Sequence, residues 1–272
     1  MAKLKLTVLM SIYCAEKPDY FNASLRSIWD DQIVKPDEII LVEDGALTTA
    51  LSEIVHNWKN RLGNQLRIIS LQDNVGLGCA LNEGLKLCSN DLIARMDTDD
   101  VALPGRFHEQ TEFLREHQSV DVVGSWIEEI DGIGQLLKKT VEYPLDNKAC
   151  RSYFKKRDPF AHSSVMFRKS FFEKAGNYPP FRKNQDSLLW AKGFKAGCIF
   201  ANIPRVLLHF RRTDDLLKRR ANKNELLLFL NHRLKINRDL EYGMDADMYA
   251  YGYFLLQNMP NFIKKIAYKY MR

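Results

Sequence analysis

Short apolar runs alternate with helix-length segments through the N-terminal third of the chain, and this alternation constrains the fold more than any other feature. The apolar runs are residues 4–13, 38–42, 66–70 and 91–96. The helical patterns between them are residues 21–30, about 47–58 and about 78–87. Strands that are apolar throughout are buried on both faces, and strands joined through helices run parallel. The sequence therefore predicts an open α/β sheet, mostly parallel and flanked by helices.

The size and composition of the chain fit a globular protein with a substantial core. Its 272 residues are 46% hydrophobic, which is ordinary for a soluble domain. The first apolar run is too short to span a bilayer and lacks a cleavage site, so neither a transmembrane helix nor a signal peptide is predicted. The five cysteines are scattered without a C-x-x-C pair. This spacing disfavours a zinc knuckle or a disulfide framework and is typical of a cytosolic protein with reduced thiols.

The positive charge is concentrated near the C-terminus. The net charge is +6, and residues 210–272 contain 13 Lys and Arg against 7 Asp and Glu, so this segment carries the whole excess. Such a basic segment favours phosphate-rich partners, either a membrane or a nucleic acid. A solvated helical face is the alternative interpretation.

Polar side chains gather where each of the four predicted strands ends. They are Ser11, Tyr13, Asp44, Asp73, Asn74, Asp97, Asp99 and Asp100. Any single Asp after a strand is commonly a turn residue or a helix N-cap. In open α/β sheets, however, ligands bind beyond the carboxyl ends of the strands. Four strands that end this way favour one shared ligand site at this edge.

The segment Ala94–Asp100, with the sequence ARMDTDD, places three carboxylates within four residues directly after a strand. Like charges this close repel each other unless a cation lies between them. Alternate residues of an extended segment point to the same side, so Asp97 and Asp99 share a face while Thr98 turns inward. The pattern predicts a site for Mg²⁺ or Mn²⁺ carrying a diphosphate, with a solvated acidic turn as the alternative.

Gly76 and Gly78 only partly match a dinucleotide-binding fingerprint. Leu81 occupies the third glycine position, and about six residues separate the strand from Gly76. The fingerprint needs a tight turn from strand to helix, so a nicotinamide site is disfavoured. We instead expect these glycines to let the loop pass close to another ligand.

Four segments, in order, resemble glycosyltransferase family 2. They are SIYCAEKPDYFNASLRSI, DEIILVEDGA, NVGLGCALNEGLKLCSNDLIARMDTDDVALPGRFHEQ and NQDSLLWAKGFKAGCIFANIPRVLLHFRR, and they cover roughly residues 4–212. They most resemble bacterial enzymes that build exopolysaccharide, capsule and O-antigen repeat units, such as the amylovoran biosynthesis glycosyltransferases. The resemblance implies a GT-A fold and an inverting transferase that uses a nucleotide sugar, with UDP favoured.

The resemblance also implies roles for the residues at the strand ends. Asp44 would contact the nucleoside base, and Asp97-Thr98-Asp99 would be the D-x-D motif, with Asp99 binding the metal and Asp97 contacting the ribose or a metal-bound water. Arg95 would reach the nucleotide or pair with the acidic cluster. The other residues assigned to the nucleotide-sugar site are Ser11, Tyr13, Asn74 and Gly76.

An inverting transfer needs a base that removes the proton of the acceptor hydroxyl. By the resemblance this base is Asp186, although Gln185 stands where many relatives have Glu. A helix N-cap is the alternative for Asp186, because an amphipathic run follows it. Two further candidates lie on the acceptor side. His162 is an acceptor contact or a buried structural histidine, and Arg211 binds diphosphate or pairs with the aspartates at 214 and 215.

Beyond residue 212 the resemblance fades. Residues 216–240 have a helical pattern, and residues 261–272 form a short amphipathic pattern with a basic face. This tail is predicted to lie on an anionic membrane or to pack on the body. The expected domains are a GT-A domain at 1–212, with a nucleotide-sugar half at about 1–100 and an acceptor half at 101–212, and a helical extension at 213–272.

The sequence thus predicts a metal-dependent, inverting glycosyltransferase of bacterial surface polysaccharide synthesis. Its expected partners are a nucleotide-sugar donor, a saccharide acceptor carried on polyprenyl diphosphate, and the inner face of the cytoplasmic membrane, with no nucleic acid. Two alternatives from other classes are a catalytically silent nucleotide-sugar binder or assembly scaffold and, because of the basic tail, a nucleic-acid-binding protein.

Overall fold

The computed structural model describes residues 4–212 and 223–259. The strands in these residues are β1 (Leu6–Ile12), β2 (Glu38–Glu43), β3 (Leu66–Ser70), β4 (Leu92–Arg95), β5 (Val101–Ala102), β6 (Val122–Ile130), β7 (Leu136–Val141), β8 (Met166–Arg168) and β9 (Phe200–Arg211). The helices are α1 (Pro18–Ile28), α2 (Thr49–Leu62), α3 (Leu77–Leu85), α4 (Arg106–Glu116), α5 (Asn147–Phe154), α6 (Ser170–Ala175), α7 (Gln185–Lys195), α8 (Lys223–Asp239) and α9 (Met244–Gln257).

The nine strands found in the described residues form one mixed sheet. Its order is β3-β2-β1-β4-β8-β6-β9-β5, and β7 pairs with the outer part of β6. The first four strands are parallel, as the sequence predicted. Beyond β4 the sheet changes character, because β8 is antiparallel to β4 and to β6. The predicted α/β class is therefore confirmed, with an antiparallel interruption that the first hundred residues do not encode.

Strands β1, β2 and β4 are buried on both faces because each supplies side chains to two layers of core, whereas the edge strand β3 is only partly buried. In β1, Val8 and Met10 pack into the layer that contains Leu25 of α1, whereas Leu9 packs into the layer that contains Trp190 of α7. This is the two-residue period of a strand covered by helices on both sides. The wholly apolar sequence of the run follows directly from this position.

Local signals in the sequence set the ends of α2. Thr48 is its N-cap, and the Thr48 hydroxyl accepts a hydrogen bond from the Leu51 N–H at 3.4 Å. The helix ends at Gly63, whose positive φ of 55° suits a residue without a Cβ. The Thr48 hydroxyl thus pairs one of the N–H groups that a helix leaves without a partner at its start, and Gly63 adopts the backbone conformation that ends the helix.

The C-terminal helices pack beside the sheet. Helix α8 contacts α7 and α9. The predicted helix at 216–240 is observed from Lys223 to Asp239, and residues 213–222 lie outside the described part. The predicted amphipathic tail at 261–272 also lies outside it. Among the helices that are described, none combines the length and the apolar character needed to cross a membrane.

Helix α7 packs so closely on the sheet that Gly193 has no room for a side chain. A Cβ there would lie 2.6 Å from Phe200 Cζ and 2.7 Å from Phe171 Cε2, and both rings are fully buried. We expect Gly193→Ala to lower the free energy of unfolding by about 1–3 kcal/mol, measured by urea denaturation.

The matched control is Gly252→Ala in α9, where an added Cβ meets nothing within 4 Å. That change should stabilise the helix by up to about 1 kcal/mol, because alanine is the better helix former. Equal unfolding free energies for the two variants would contradict the close packing of α7.

Candidate functional site

The carboxyl ends of the parallel strands bring the predicted polar residues to one edge of the sheet. Ser11 and Tyr13 lie at the end of β1, and the Asp44 N–H donates to the Ile12 carbonyl at 2.7 Å. Asp97 follows β4, which pairs with β1 on its other side. The structure therefore places side chains from three strands along the edge where ligands bind in such sheets.

Asp97, Asp99 and Asp100 form a compact acidic cluster. One carboxylate oxygen from each lies within 4.8 Å of those of the other two. Thr98 is buried, whereas Asp97 and Asp99 are half-buried, so the predicted alternation along this segment is confirmed. The pKa of Asp99 is raised to about 6 by burial and by the negative charge of Asp97. Carboxylates held this close fit a hard divalent cation such as Mg²⁺ or Mn²⁺.

Within the cluster, Asp100 is bound to the protein itself. The Ser163 hydroxyl donates to Asp100 Oδ2, and the Arg211 N–H donates to Asp100 Oδ1 at 2.8 Å. Asp100 is fully buried, and this burial raises its pKa well above the usual value. Since both of its oxygens already have protein donors, Asp97 and Asp99 are the better candidates for metal ligands.

Arg95 supplies the positive charge nearest to the cluster. Its Nη2 forms an ion pair with Asp97, and its side chain is 2% exposed. The Nε and Nη1 atoms are buried and have no hydrogen-bond partner in the described residues. The structure thus shows the second of the two predicted roles for Arg95, the ion-pair partner of the acidic cluster.

Arg211, the last residue of β9, binds the backbone of the segment that contains Asp99. Its Nε donates to the Asp99 carbonyl at 2.8 Å, and its Nη1 donates to the Asp131 carbonyl at 3.0 Å. The guanidinium also lies over the Tyr20 ring, 4.2 Å from the centroid. Arg211 is buried, so it holds the backbone of the acidic segment in place. A diphosphate contact stays a prediction, and the aspartates at 214 and 215 lie outside the described residues.

Asp44 holds the loop that leads to α3. Its two carboxylate oxygens accept hydrogen bonds from the Val75 N–H at 2.7 Å and the Gly76 N–H at 3.0 Å. The Asn74 side-chain amide donates to the Asp44 carbonyl at 3.1 Å, and Asn74 Oδ1 accepts from Arg182 Nη1 at 2.8 Å. These contacts fix the loop next to the predicted nucleoside pocket, whose contact with Asp44 stays a prediction.

The glycines of this loop permit a close contact within the chain. A Cβ at Gly76, where φ is 90°, would lie 2.9 Å from Arg182 Cγ. A Cβ at Gly78 would lie 2.8 Å from the Pro179 carbonyl and 3.3 Å from Gln185 Cβ. The observed close approach is therefore to the segment that leads into α7, and a close approach to a ligand stays a prediction.

Asp186 lies in the first turn of α7. The N-cap of this helix is Asn184, which adopts the left-handed conformation with φ of 58°, so the N-cap interpretation of Asp186 is wrong. The Asp186 carboxylate is half-buried, and its pKa is raised to about 6 by burial and by the negative charge of Asp158. The positive charge of Arg95 lowers the pKa of Asp186, and it also lowers the pKa of Asp99. The same cation therefore acts on Asp186 and on the acidic cluster.

His162 is a buried, neutral histidine. Its Nε2 lies 2.8 Å from the Tyr178 hydroxyl, and its ring packs edge-on against Trp190. Burial and the nearby charge of Arg95 hold its pKa well below the usual value. This environment matches the structural alternative for His162, while an acceptor contact stays a prediction.

Several residues of this region were missed by sequence reasoning. Tyr178 contacts His162, Asp158 raises the pKa of Asp186, and Arg233 binds Asp158. They belong to no motif and lie far along the chain from their partners, so no local signal could have identified them. The five cysteines all lie in the described part and none forms a disulfide, as predicted.

Comparison with known proteins identifies the family. The model of the family "Glycosyl transferase family 2" matches residues 7–176. The amylovoran biosynthesis glycosyltransferase AmsE of Erwinia amylovora is 33% identical over 255 residues, which cover 93% of this chain and 92% of the relative. An Escherichia coli enzyme, UDP-Gal:alpha-D-GlcNAc-diphosphoundecaprenol beta-1,3-galactosyltransferase, is 34% identical over 220 residues, which cover 80% of this chain and 78% of the relative.

Solved structures show the same fold. S. aureus TarS 1-349 in complex with UDP-GlcNAc aligns with a TM-score of 0.63 at 16% identity, over 96% of this chain and 83% of that one. The mannosyltransferase PcManGT from Pyrobaculum calidifontis, in complex with GDP-Man and Mn²⁺, aligns with a TM-score of 0.66 at 16% identity, over 93% and 70%. This chain covers 40% of the longer TarS structure.

These structural neighbours are GT-A glycosyltransferases, so the predicted GT-A fold is confirmed. The family match runs from β1 to α6 and includes the acidic cluster, and the two sequence relatives align with most of the chain. The chain therefore belongs to glycosyltransferase family 2 and is related to bacterial enzymes of polysaccharide biosynthesis.

Proposed function

We propose that this glycosyltransferase moves a sugar from a UDP-sugar to a lipid-linked saccharide, with inversion, during the synthesis of a bacterial surface polysaccharide. The observation that carries the proposal is the placement of two carboxylate groups around Arg95. The Asp97–Asp99 pair would be the site for a diphosphate-bound cation, and Asp186 on α7 is a second carboxyl group under the influence of the same arginine.

Asp97 and Asp99 would hold the divalent cation. When bound there, the cation would neutralise negative charge on the departing diphosphate and so stabilise the transition state by on the order of several kcal/mol. The chain prepares this site by fixing its backbone. Ser24 Oγ donates to the Asp97 carbonyl at 2.7 Å, and Arg211 Nε donates to the Asp99 carbonyl at 2.8 Å. The two carboxylates thus stay together at some electrostatic cost, which a cation would relieve.

Asp186 would be the base that accepts the proton of the acceptor hydroxyl. A base works best when its pKa is raised towards the working pH while it still stays ionised there. Burial and the Asp158 charge raise the pKa of Asp186 to about 6, which meets both conditions near neutral pH. Inversion follows when the hydroxyl attacks the sugar on the face opposite the diphosphate, with Asp186 on the side of the hydroxyl.

The choice of UDP and of a lipid-linked acceptor is supported by the relatives. The E. coli relative is named for UDP-Gal and for an acceptor on diphosphoundecaprenol, and TarS was solved with UDP-GlcNAc. The Pyrobaculum neighbour was solved with GDP-Man, so the fold itself accommodates more than one nucleotide. We take UDP as the donor nucleotide because the relative with the higher sequence identity is named for it.

We further propose that the C-terminal extension, placed at residues 213–272, contacts an anionic membrane where such an acceptor resides. On α9, Met244, Met248, Tyr251 and Leu255 are 81%, 72%, 51% and 59% exposed. At 100° per residue these four side chains fall within about 60° of one another, opposite the buried Ala246 and Ala250. We call these four residues the α9 stripe. The basic, amphipathic sequence of residues 261–272 begins four residues after the last residue of this helix.

The nucleotide and base roles can be separated by calorimetric titration of UDP with Mn²⁺ and then with EDTA, followed by transfer assays. We expect Asp99→Asn to weaken UDP binding in Mn²⁺ by at least about tenfold and to remove its metal dependence. Asp186→Asn should bind UDP like the wild type and lose at least about 100-fold in transfer.

Asp100→Asn is the matched control for the acidic cluster. Its Oδ1 can still accept from the Arg211 N–H and its amide can donate to Ser163, so it should fold and bind UDP with Mn²⁺ like the wild type. Wild-type transfer rates in Asp99→Asn or Asp186→Asn would refute the assigned roles. UDP binding without transfer in the wild type would favour the catalytically silent binder.

The membrane proposal predicts that the double variant Met248→Gln, Leu255→Gln binds anionic vesicles at least about tenfold more weakly than the wild type, measured by co-sedimentation of the full chain. UDP affinity should not change. Ile133→Gln is the control, because Ile133 is 80% exposed but lies in the turn between β6 and β7. Equal vesicle binding by the double variant and the wild type would exclude the α9 stripe as the membrane contact.

A further inference from the structure

Asp158 is bound on both sides by side chains from two different helices. The Ser187 hydroxyl of α7 donates to Asp158 Oδ2 at 2.7 Å. Arg233 Nη2 of α8 donates to Asp158 Oδ1 at 3.2 Å. Ser187 directly follows Asp186 in the sequence. The Asp158 carboxylate therefore links α8 to the first turn of α7, which carries the proposed base.

Arg233 itself is rigidly held. Its side chain is 3% exposed, and its Nη1 donates to the Phe154 carbonyl at 2.9 Å. The guanidinium also lies over the Phe154 ring at 5.0 Å and near the Phe229 ring at 5.7 Å. A buried arginine with hydrogen bonds in two directions has little freedom to move. It therefore fixes the position of Asp158 in a way that an exposed ion pair would not.

Further contacts hold the segment before α7 against the same helix α8. The Asn184 amide lies 3.3 Å from His232 Nδ1, and Lys183 forms an ion pair with Glu225. The Asn184 side chain makes no capping hydrogen bond to α7. The start of α7 is thus positioned largely from outside, by residues of α8, instead of by its own cap.

We propose that Arg233 is a positioning residue for the base: it holds the Asp158 carboxylate against Ser187 and so fixes the first turn of α7 and the direction of the Asp186 carboxylate. The inference rests on the proposed function, in which Asp186 accepts the proton of the acceptor. It makes α8 part of the catalytic unit, although α8 lies beyond the span 7–176 that the family model matches.

The same contacts govern the charge around Asp186. Burial and the negative charge of Asp158 raise the pKa of Asp186, whereas the backbone N–H groups of Ser187 and Asp186 and the positive charge of Arg95 lower it. The Tyr178 hydroxyl faces the same space and is uncharged, since its pKa is raised above the usual value by burial. Arg233 neutralises Asp158, so the influence of Asp158 on Asp186 depends on whether Arg233 is in place.

The test is a carbon-13 NMR titration of the aspartate carboxyl groups in the full chain, with the Asp186 signal assigned from Asp186→Asn. Asp158→Asn removes a negative charge and should lower the pKa of Asp186 by about half a unit or more. Arg233→Met leaves the negative charge of Asp158 without its counter-charge and should raise the pKa of Asp186 by a similar amount. These two opposite shifts distinguish the proposed link from a general loss of packing.

Two controls complete the titration. Lys235→Met removes a charge from the same helix at an exposed site paired with Asp239, so the Asp186 titration should not move. If Arg233→Met fails to fold, Arg233→Lys takes its place as a variant that keeps the positive charge. In this variant the pKa of Asp186 should stay near the wild-type value. Shifts in the same direction for Asp158→Asn and Arg233→Met, or no shift in either folded variant, would overturn the proposal.

Transfer kinetics supply the second readout. Ser187→Ala keeps every charge but removes the link to Asp158, so kcat should fall about tenfold with the KM for the donor unchanged. A wild-type kcat in this variant would overturn the positioning role. Because the NMR titration needs no turnover, failure of the Arg233 link is distinguishable from failure of the proposed function, which wild-type transfer by Asp186→Asn would show.

Discussion

The site depends on the electrostatic attraction between the buried Arg95 guanidinium and the carboxylates around it. A cation with 2% exposure at the end of β4 is stable only with anions around it, and the ion pair with Asp97 meets part of this need. The same charge lowers the pKa values of Asp99 and Asp186 against the effect of burial, and it helps to keep His162 neutral. One arginine thus influences the ionisation on both the donor and the acceptor sides of the proposed reaction.

Much of the nucleotide half could be predicted because its information is local. The strand at 66–70 was predicted with its observed bounds, since an apolar run between a helix pattern and a loop is a sufficient signal. The alternation of Asp97, Thr98 and Asp99 follows from the two-residue period of extended backbone, and the structure shows that alternation in the burial of these residues. Parallel pairing then follows from helical connections between apolar strands.

The remainder could not be predicted because it depends on contacts between distant parts of the chain. Asp158 meets Arg233, 75 residues further on, and Asp100 meets the backbone of Arg211, 111 residues further on. The N-cap of α7 falls on Asn184 in a left-handed conformation, so the helix begins before the aspartate that seemed suited to cap it. Such choices are made by packing and charge balance, which outweigh local propensity.

The ion pair between Asp158 and Arg233 also bears on how members of this family can be recombined. A junction placed at residue 212, between β9 and α8, separates the two residues of this pair. A hybrid that joins the sheet of this chain to the C-terminal region of a relative without a cation at this place would leave a partly buried aspartate without its counter-charge beside the proposed base. Exchange of C-terminal regions with such a relative would therefore need residues 158 and 233 to come from the same parent.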